Sequence, residues 1–181
     1  MSFISHMVAI VRQNLIKNQR QFAVVKRRLL ELLGDDVVIE HVGSTAVPGL
    51  VGKNIIDIVI GVRASSDVAM TSQRLAQAGW FVGKKCDAEY CFFASRQEET
   101  VAGDVYLHLV LAGSQRYRQF VEIRDFLRHN SDWRRRYNQV KCQLVRELRV
   151  DRATYKQLKS QFVEQIMAEI TQNQQKSTNI S

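Results

Sequence analysis

The sequence predicts an α+β fold in which strands and helices share the first two thirds and helices alone fill the last. Three observations carry this. Residues 54–62, NIIDIVIGV, are apolar on both parities, with Ile55 and Val59 on one and Ile56, Ile58 and Ile60 on the other, as in a central strand covered on both faces. Asp104, Tyr106 and His108 alternate with Val105, Leu107 and Leu109, the period of a strand with one polar face. From Gly113 onward the apolar residues recur at helical spacing. A chain of 181 residues is one domain by length and long enough to bury a core. Its parts are an α/β core over about 1–111, a helical part over about 113–170, and a tail, 171–181, that lacks a core face and is expected to fray.

Residues 6–33 read as a helix, with Val8, Val11, Leu15, Phe22, Val25, Leu29 and Leu32 on one side. Gly34 stops it, because glycine accepts the left-handed conformation that ends helices. Strands follow at 37–42 and 54–62. Ser65 or Ser66 caps a helix reaching about Ala78, with Val68, Leu75 and Ala76 inward, and Gly79 ends it. Trp80–Val82 reads as a short strand and 83–89 as a polar turn. Tyr90–Ser95 and Val101–Leu111 form a hairpin across 96–100. Three helical stripes close the chain: Tyr117, Phe120, Val121, Ile123 and Leu127; then Trp133, Tyr137, Val140, Leu144 and Leu148; then Tyr155, Leu158, Phe162, Ile166 and Ile170. Ser131 and Asp151 are the candidate N-caps at the joints.

No apolar run approaches the ~20 residues of a membrane span, and the N-terminus is too mixed for a signal peptide. Cys86, Cys91 and Cys142 fit no metal spacing and read as reduced thiols of a cytoplasmic protein. The charge is uneven. Residues 112–159 hold 13 Lys/Arg against 5 Asp/Glu, an excess equal to the whole net charge of +8. Such a surface suits a polyanion, a nucleoside triphosphate or RNA; a solvated helical face is the plainer reading.

The stretch 39–58, IEHVGSTAVPGLVGKNIIDI, reads as strand, tight polar loop and strand. A carboxylate at Asp57, inside so apolar a strand, is costly unless something pairs with it. Accepting hydrogen bonds from the amides of 43–49 would suffice. Glu40 and His41 read either as an ion pair steadying the loop or as part of a site. Lys53 is close to Asp57 in sequence and able to meet a phosphate as a point charge. Arg124 and Arg128 lie one helical turn apart and could clamp an anion together.

That stretch resembles the signature of the GrpB family, which looks like a branch of the nucleotidyltransferase superfamily with the polymerase-beta-type fold. YLHLVLAGSQ (106–115) looks like its His-containing strand, and IRDFLRHNSDWRRRYNQVK (123–141) is similar to its Arg-Asp helix pair, with Arg124, Asp125, Leu127, Arg128, Tyr137 and Lys141 in place. Tyr155, Lys159, Phe162 and Val163 match the closing pattern. The resemblance implies a nucleotidyltransferase-like mixed sheet flanked by helices. It further implies a turn whose amides and hydroxyl meet phosphates, followed by paired strand carboxylates that hold Mg²⁺ during transfer from a nucleoside triphosphate. On that implication Gly43, Ser44, Thr45 and Lys53, with His41, Arg124 and Arg128, are the candidate ligand-binding residues. Asp57, Asp104 and His108 are the candidate catalytic residues, with Asp57 and Asp104 as metal ligands. The chain departs from the pattern at Val59, where a second carboxylate is expected. Two readings therefore stand: nucleotidyl transfer to an unknown acceptor, and a non-catalytic module binding a nucleotide, a coenzyme A-like ligand or RNA.

Overall fold

The computed structural model describes residues 10–96, 104–146 and 152–178. In chain order these give β1 (Val11–Arg12), α1 (Leu15–Leu33), β2 (Val38–Val42), a 3₁₀ turn (Ser44–Ala46), β3 (Val51–Gly52), β4 (Ile56–Val62), α2 (Ser65–Gln77), β5 (Phe81–Cys86), β6 (Tyr90–Ala94), β7 (Val105–Leu111), α3 (Gln115–His129), α4 (Ser131–Arg146) and α5 (Arg152–Thr178). Five strands form one mixed sheet in the order β2-β4-β7-β6-β5. Only β4 and β7 run parallel; β2–β4, β7–β6 and β6–β5 are antiparallel. β4 is therefore internal, and every residue of it but Asp57 is buried.

Alternation within β4 builds two cores. Ile56, Ile58 and Ile60 join Leu29 and Leu33 of α1, Leu75 of α2 and Leu107 of β7 on one face. Val59 joins Val42, Tyr90 and Val110 on the other, against Tyr117, Phe120 and Val121 of α3. A third core lies outside the sheet. Val47 and Leu50, from the loop after the 3₁₀ turn, pack among Leu127, Tyr137, Phe162 and Ile166 of α3, α4 and α5. The helical part thus grips the loop that follows Gly43.

Several local expectations are corrected. The first helix starts at Leu15, where Asn14 accepts a hydrogen bond from Lys17 N–H at 3.0 Å. Val11 lies in β1, half exposed, and residues 6–9 lie outside the described residues. Pairing of Val11 with Gly52 draws that segment out of the helix. Ala64, not Ser65 or Ser66, precedes α2, and Asp67 accepts its N–H at 3.0 Å. Ala76 is exposed and Thr71 takes the inward place. The polar segment 83–86 is strand, because β6 supplies it with a partner. Ser131 begins α4 from inside the helix, with Asn130 ahead of it. Asp151, Leu148 and the hairpin tip at 97–103 lie outside the described residues. α5 continues to Thr178, beyond the point where the tail was expected to fray, with residues 171–176 exposed. Cys86 and Cys91, expected as thiols, are register partners of β5 and β6, which brings their sulfurs together, and Cys142 lies apart from them. No helix among the described residues is long and apolar enough to cross a membrane.

Candidate functional site

Asp57 enters the site by parity. It shares a face with Val59, and the parallel register sets Asp57 beside Tyr106 and Val59 beside His108. His108 Nε2 lies 3.8 Å from Asp57 Oδ1. The hydroxyl of Tyr90 lies 3.0 Å from His108 Nδ1. Burial pushes that phenol up to about 12, so it keeps its proton. The direction of their hydrogen bond follows the His108 tautomer: with the ring proton on Nε2, toward Asp57, Nδ1 accepts from the phenol. Phe92 and Phe120 flank the imidazole, and the guanidinium of Arg116 lies 4.3 Å over the Tyr90 ring.

Gly43 lies against the same carboxylate. Its φ is 72°, a conformation that favours glycine, and a Cβ there would run into the Asp57 side chain. Two amides of the turn bond within it: Ala46 N–H donates to Gly43 O at 3.3 Å and Val47 N–H to Ser44 O at 3.4 Å.

His41 and Thr45 hold the turn from behind. Thr45 Oγ1 donates to Ile55 O at 3.0 Å, so it accepts from His41 Nε2, also at 3.0 Å. The His41 ring stacks on Phe22, and burial lowers it to about 4, so it is neutral. Glu40 and His41 do not pair: neighbouring strand residues point to opposite faces. Glu40 instead accepts from Arg124 NH1 at 2.5 Å.

Arg124 and Arg128 are committed in the same way. Arg124 also donates to His41 O at 3.1 Å and to both Asp125 oxygens at 2.8 and 2.9 Å. Its hydrogen bonds to Asp125 and Glu40 raise its already high pKa against burial, and they hold Asp125 below the usual carboxylate range. Arg128 gives two N–H groups, at 3.0 and 2.9 Å, to Ala46 O. The pair expected to clamp an anion thus clamps the turn. Part of the basic excess in 112–159 is used internally too, since Arg134 donates to Leu127 O and Arg128 O and Arg135 pairs with Asp132.

Lys141 of α4 is the site residue that the candidates from sequence left out. It is 1% exposed, and its ammonium lies 3.4 Å from Ser44 Oγ and donates to Val51 O. It sits 4.2 Å over the Tyr137 ring. Burial lowers it to about 7, with the charge of Lys159 adding to the effect and Cys142 opposing it. Among the described residues no carboxylate pairs with it. Lys53 lies 5.4 Å over Tyr155. The position of Lys141 within the Tyr137, Lys141, Leu144 stripe was a legible signal: a lysine on an apolar helical face.

The metal donors do not fit a two-ion clamp. Val59, at the second carboxylate position, is fully buried among apolar side chains. Asp104 is 2% exposed and pairs with Arg96 Nε at 3.0 Å. No group of three His, Cys, Asp or Glu side chains among the described residues is arranged to hold a metal ion. Asp57 alone remains, enough at most for one Mg²⁺ shared with a ligand's phosphates.

Known proteins give this arrangement a context. The family model described as GrpB protein matches residues 8–169. The glutamate-rich protein GrpB of Alkalihalophilus pseudofirmus is 30% identical over 156 residues, covering 84% of this chain and 90% of its own. A UPF0157 protein of Streptomyces coelicolor is 33% identical, over 76% of this chain and 71% of its own. Among solved structures, the conserved protein GrpB from Enterococcus faecalis superposes with a TM-score of 0.66 at 19% identity, over 87% of this chain and 98% of that one. The Cid1 poly(U) polymerase, solved with Mg and 3'-dATP bound, superposes with a TM-score of 0.50 at 10% identity, over 72% of this chain and 42% of that one. The fold is therefore nucleotidyltransferase-like.

Proposed function

The chain belongs to the GrpB family, and from that premise we propose that it binds a nucleoside triphosphate at the Gly43–Ser44 turn, beside Lys141, and transfers its nucleotidyl group to an acceptor hydroxyl with pyrophosphate as the leaving group. One observation carries the binding: a buried ammonium, without a carboxylate among the described residues, beside a serine of a tight turn. A buried charge is costly unless paired, and a phosphate oxygen is the counter-ion that a site facing Ser44 can receive.

In this reading Gly43 brings the backbone close to the ligand, Ser44 offers its hydroxyl, and Lys141 and Lys53 meet phosphate charge. His41, Thr45, Arg124 and Arg128 keep the turn in shape. Asp57 is the residue placed to hold Mg²⁺, and His108 stands beside it, where an acceptor's hydroxyl would approach. Asp104 belongs to the structural pair with Arg96.

Buried Val59 and the Asp104–Arg96 pair favour a second reading, in which the site binds a nucleotide, a coenzyme A-like ligand or RNA without chemistry. The test has two steps. Melting of the full chain is followed with ATP, GTP, CTP, UTP and coenzyme A, in Mg²⁺, in Mn²⁺ and in EDTA. A ligand at a hundredfold excess over its Kd stabilises by about 2.7 kcal/mol, easily seen as a shift. The nucleotide that shifts melting is then supplied with label on its α-phosphate, together with small hydroxyl acceptors and RNA. Labelled product that disappears in Asp57→Asn supports transfer. Binding with no labelled product from any acceptor favours the second reading, and no shift with any ligand removes the nucleotide site.

A further inference from the structure

We propose that Cys86 and Cys91 are an oxidation site: exchange with a small-molecule disulfide of the glutathione type joins them in a bridge that locks the β5–β6 hairpin. The inference stands apart from the nucleotide reading, since it needs neither a ligand nor a reaction at the Gly43 turn.

The backbone sets the pair. Residues 87–90 turn the chain between β5 and β6. Asp87 N–H donates to Tyr90 O at 2.8 Å, and the Asp87 carboxylate accepts from the N–H groups of Glu89 and Tyr90, each at 2.9 Å. The next pair along the ladder is Cys86 with Cys91. In an antiparallel ladder, hydrogen-bonded pairs alternate with non-bonded ones, whose side chains come closest. Cys86 and Cys91 take the non-bonded place, with Cα atoms 4.0 Å apart. That is inside the roughly 7 Å beyond which a bridge needs the backbone to move.

Their surroundings give the two sulfurs different tasks. Cys86 is exposed at the end of β5, the last strand of the sheet. Cys91 is 1% exposed, in the core with Leu75 and Phe93, its sulfur 3.5 Å from Ser72 Oγ. A small disulfide therefore reaches Cys86 and not Cys91. The Cys86 thiolate attacks one sulfur of the reagent, forming a mixed disulfide and releasing one thiolate. Cys91 then gives up its proton and attacks Cys86 Sγ, expelling the second thiolate. Two cysteine thiols are oxidised by two electrons, the small disulfide is reduced to two thiols, and the cysteine protons end on the leaving thiolates.

The bridge matters for what the hairpin carries. Tyr90 precedes Cys91, points to the opposite face of the sheet, and its hydroxyl lies 3.0 Å from His108 Nδ1. The pairing of β5 with β6 shifts register between Val82 and Cys86. A bond between Cys86 and Cys91 clamps this end of the hairpin, and with it the phenol, to the sheet.

For the test, the reduced full chain is freed of reductant, incubated with oxidised glutathione, unfolded in N-ethylmaleimide and digested with trypsin. Cleavage after Lys85 and Arg96 puts both cysteines in one peptide, 86–96. That peptide is expected to be lighter than its thiol form by two hydrogens and free of maleimide and glutathione, with the label on Cys142. Cys91→Ala, which removes the second attacking thiol, should keep glutathione on Cys86. Amide exchange over 87–92 should slow by about tenfold when the native chain is oxidised, and should not change in Cys86→Ser, a substitution at an exposed position. A wild-type chain that keeps glutathione on Cys86, or takes maleimide at all three cysteines, overturns the bridge. A bridged chain whose amides exchange as fast as those of the reduced chain overturns the lock.

Discussion

Arg124 and Lys141 are both cations buried against the same loop by C-terminal helices, and their surroundings are opposite. Arg124 meets Glu40, Asp125 and the His41 carbonyl. Lys141 meets a hydroxyl, a carbonyl, a ring and the charge of another lysine. Burial lowers Lys141 to about 7, whereas the Arg124 hydrogen bonds outweigh burial and raise its pKa. The contrast separates a cation that holds the fold together from one that no carboxylate among the described residues neutralises. Removing the first leaves partly buried carboxylates without their partner; removing the second relieves the fold of a charge that it desolvates.

The sharpest break of this comparison is Arg124→Met. It frees the turn, and a loss of about 3 kcal/mol in urea unfolding is expected, from several charge-assisted hydrogen bonds worth about 1.5–3 kcal/mol each, discounted because solvent reaches both carboxylates. A loss under about 1 kcal/mol would make the Arg124 network a surface ornament. Gly43→Ala comes next. Positive φ and collision with Asp57 together should lower stability by about 2–3 kcal/mol, and Gly43→Ala with Asp57→Gly in one chain should recover part of it.

Lys141→Met should move stability the other way. It removes a charge that folding must desolvate, offset by two acceptors that lose their donor, for a net gain of about 1 kcal/mol at neutral pH. A melting temperature that falls as far as in Arg124→Met would erase the distinction. The pH dependence sharpens it further. Lys141 is lowered from 10.5 to about 7, so between those values the unfolded chain binds more protons than the folded one. Stability from this group therefore rises with pH across that window, by at most ~1.4 kcal/mol per pH unit, and the slope should vanish in Lys141→Met. The groups facing Lys141 are Lys159, Cys142 and the Tyr137 phenol, which burial keeps protonated. The smallest of the expected losses is Thr45→Val, about 1–2 kcal/mol for a buried hydroxyl between His41 and Ile55 O.

Much of the site's frame was legible. The two-parity apolar run of 54–62 gave an internal strand, because only a strand covered on both faces is apolar on both. Gly43 next to a polar loop pointed to a tight turn, and Asp57 stood out as a lone acid in that run. The helical spacing read from Gly113 onward is met by α3, which starts at Gln115 with Ser114 accepting from Tyr117 N–H at 3.2 Å. What misled was one-dimensional proximity. Glu40 beside His41 suggested a pair, yet pleating sends the two to opposite faces. Arg124 and Arg128, one turn apart, suggested an anion clamp, yet besides Asp125 they reach Glu40, His41 O and Ala46 O, 82 to 84 residues away in the chain.

The sequence by itself determined the α+β class, the helical last third, the turn at Gly43 and the membership of the GrpB family, because periodicity, glycine and motif spacing are local properties. Tertiary structure alone decided which cations are satisfied. Asp104 pairs with Arg96, and Asp57 faces His108 across a parallel register. Lys141 meets Ser44 across 97 residues of chain. A charge's role depends on what lies within a few ångströms of it after folding, and a linear pattern does not carry that distance.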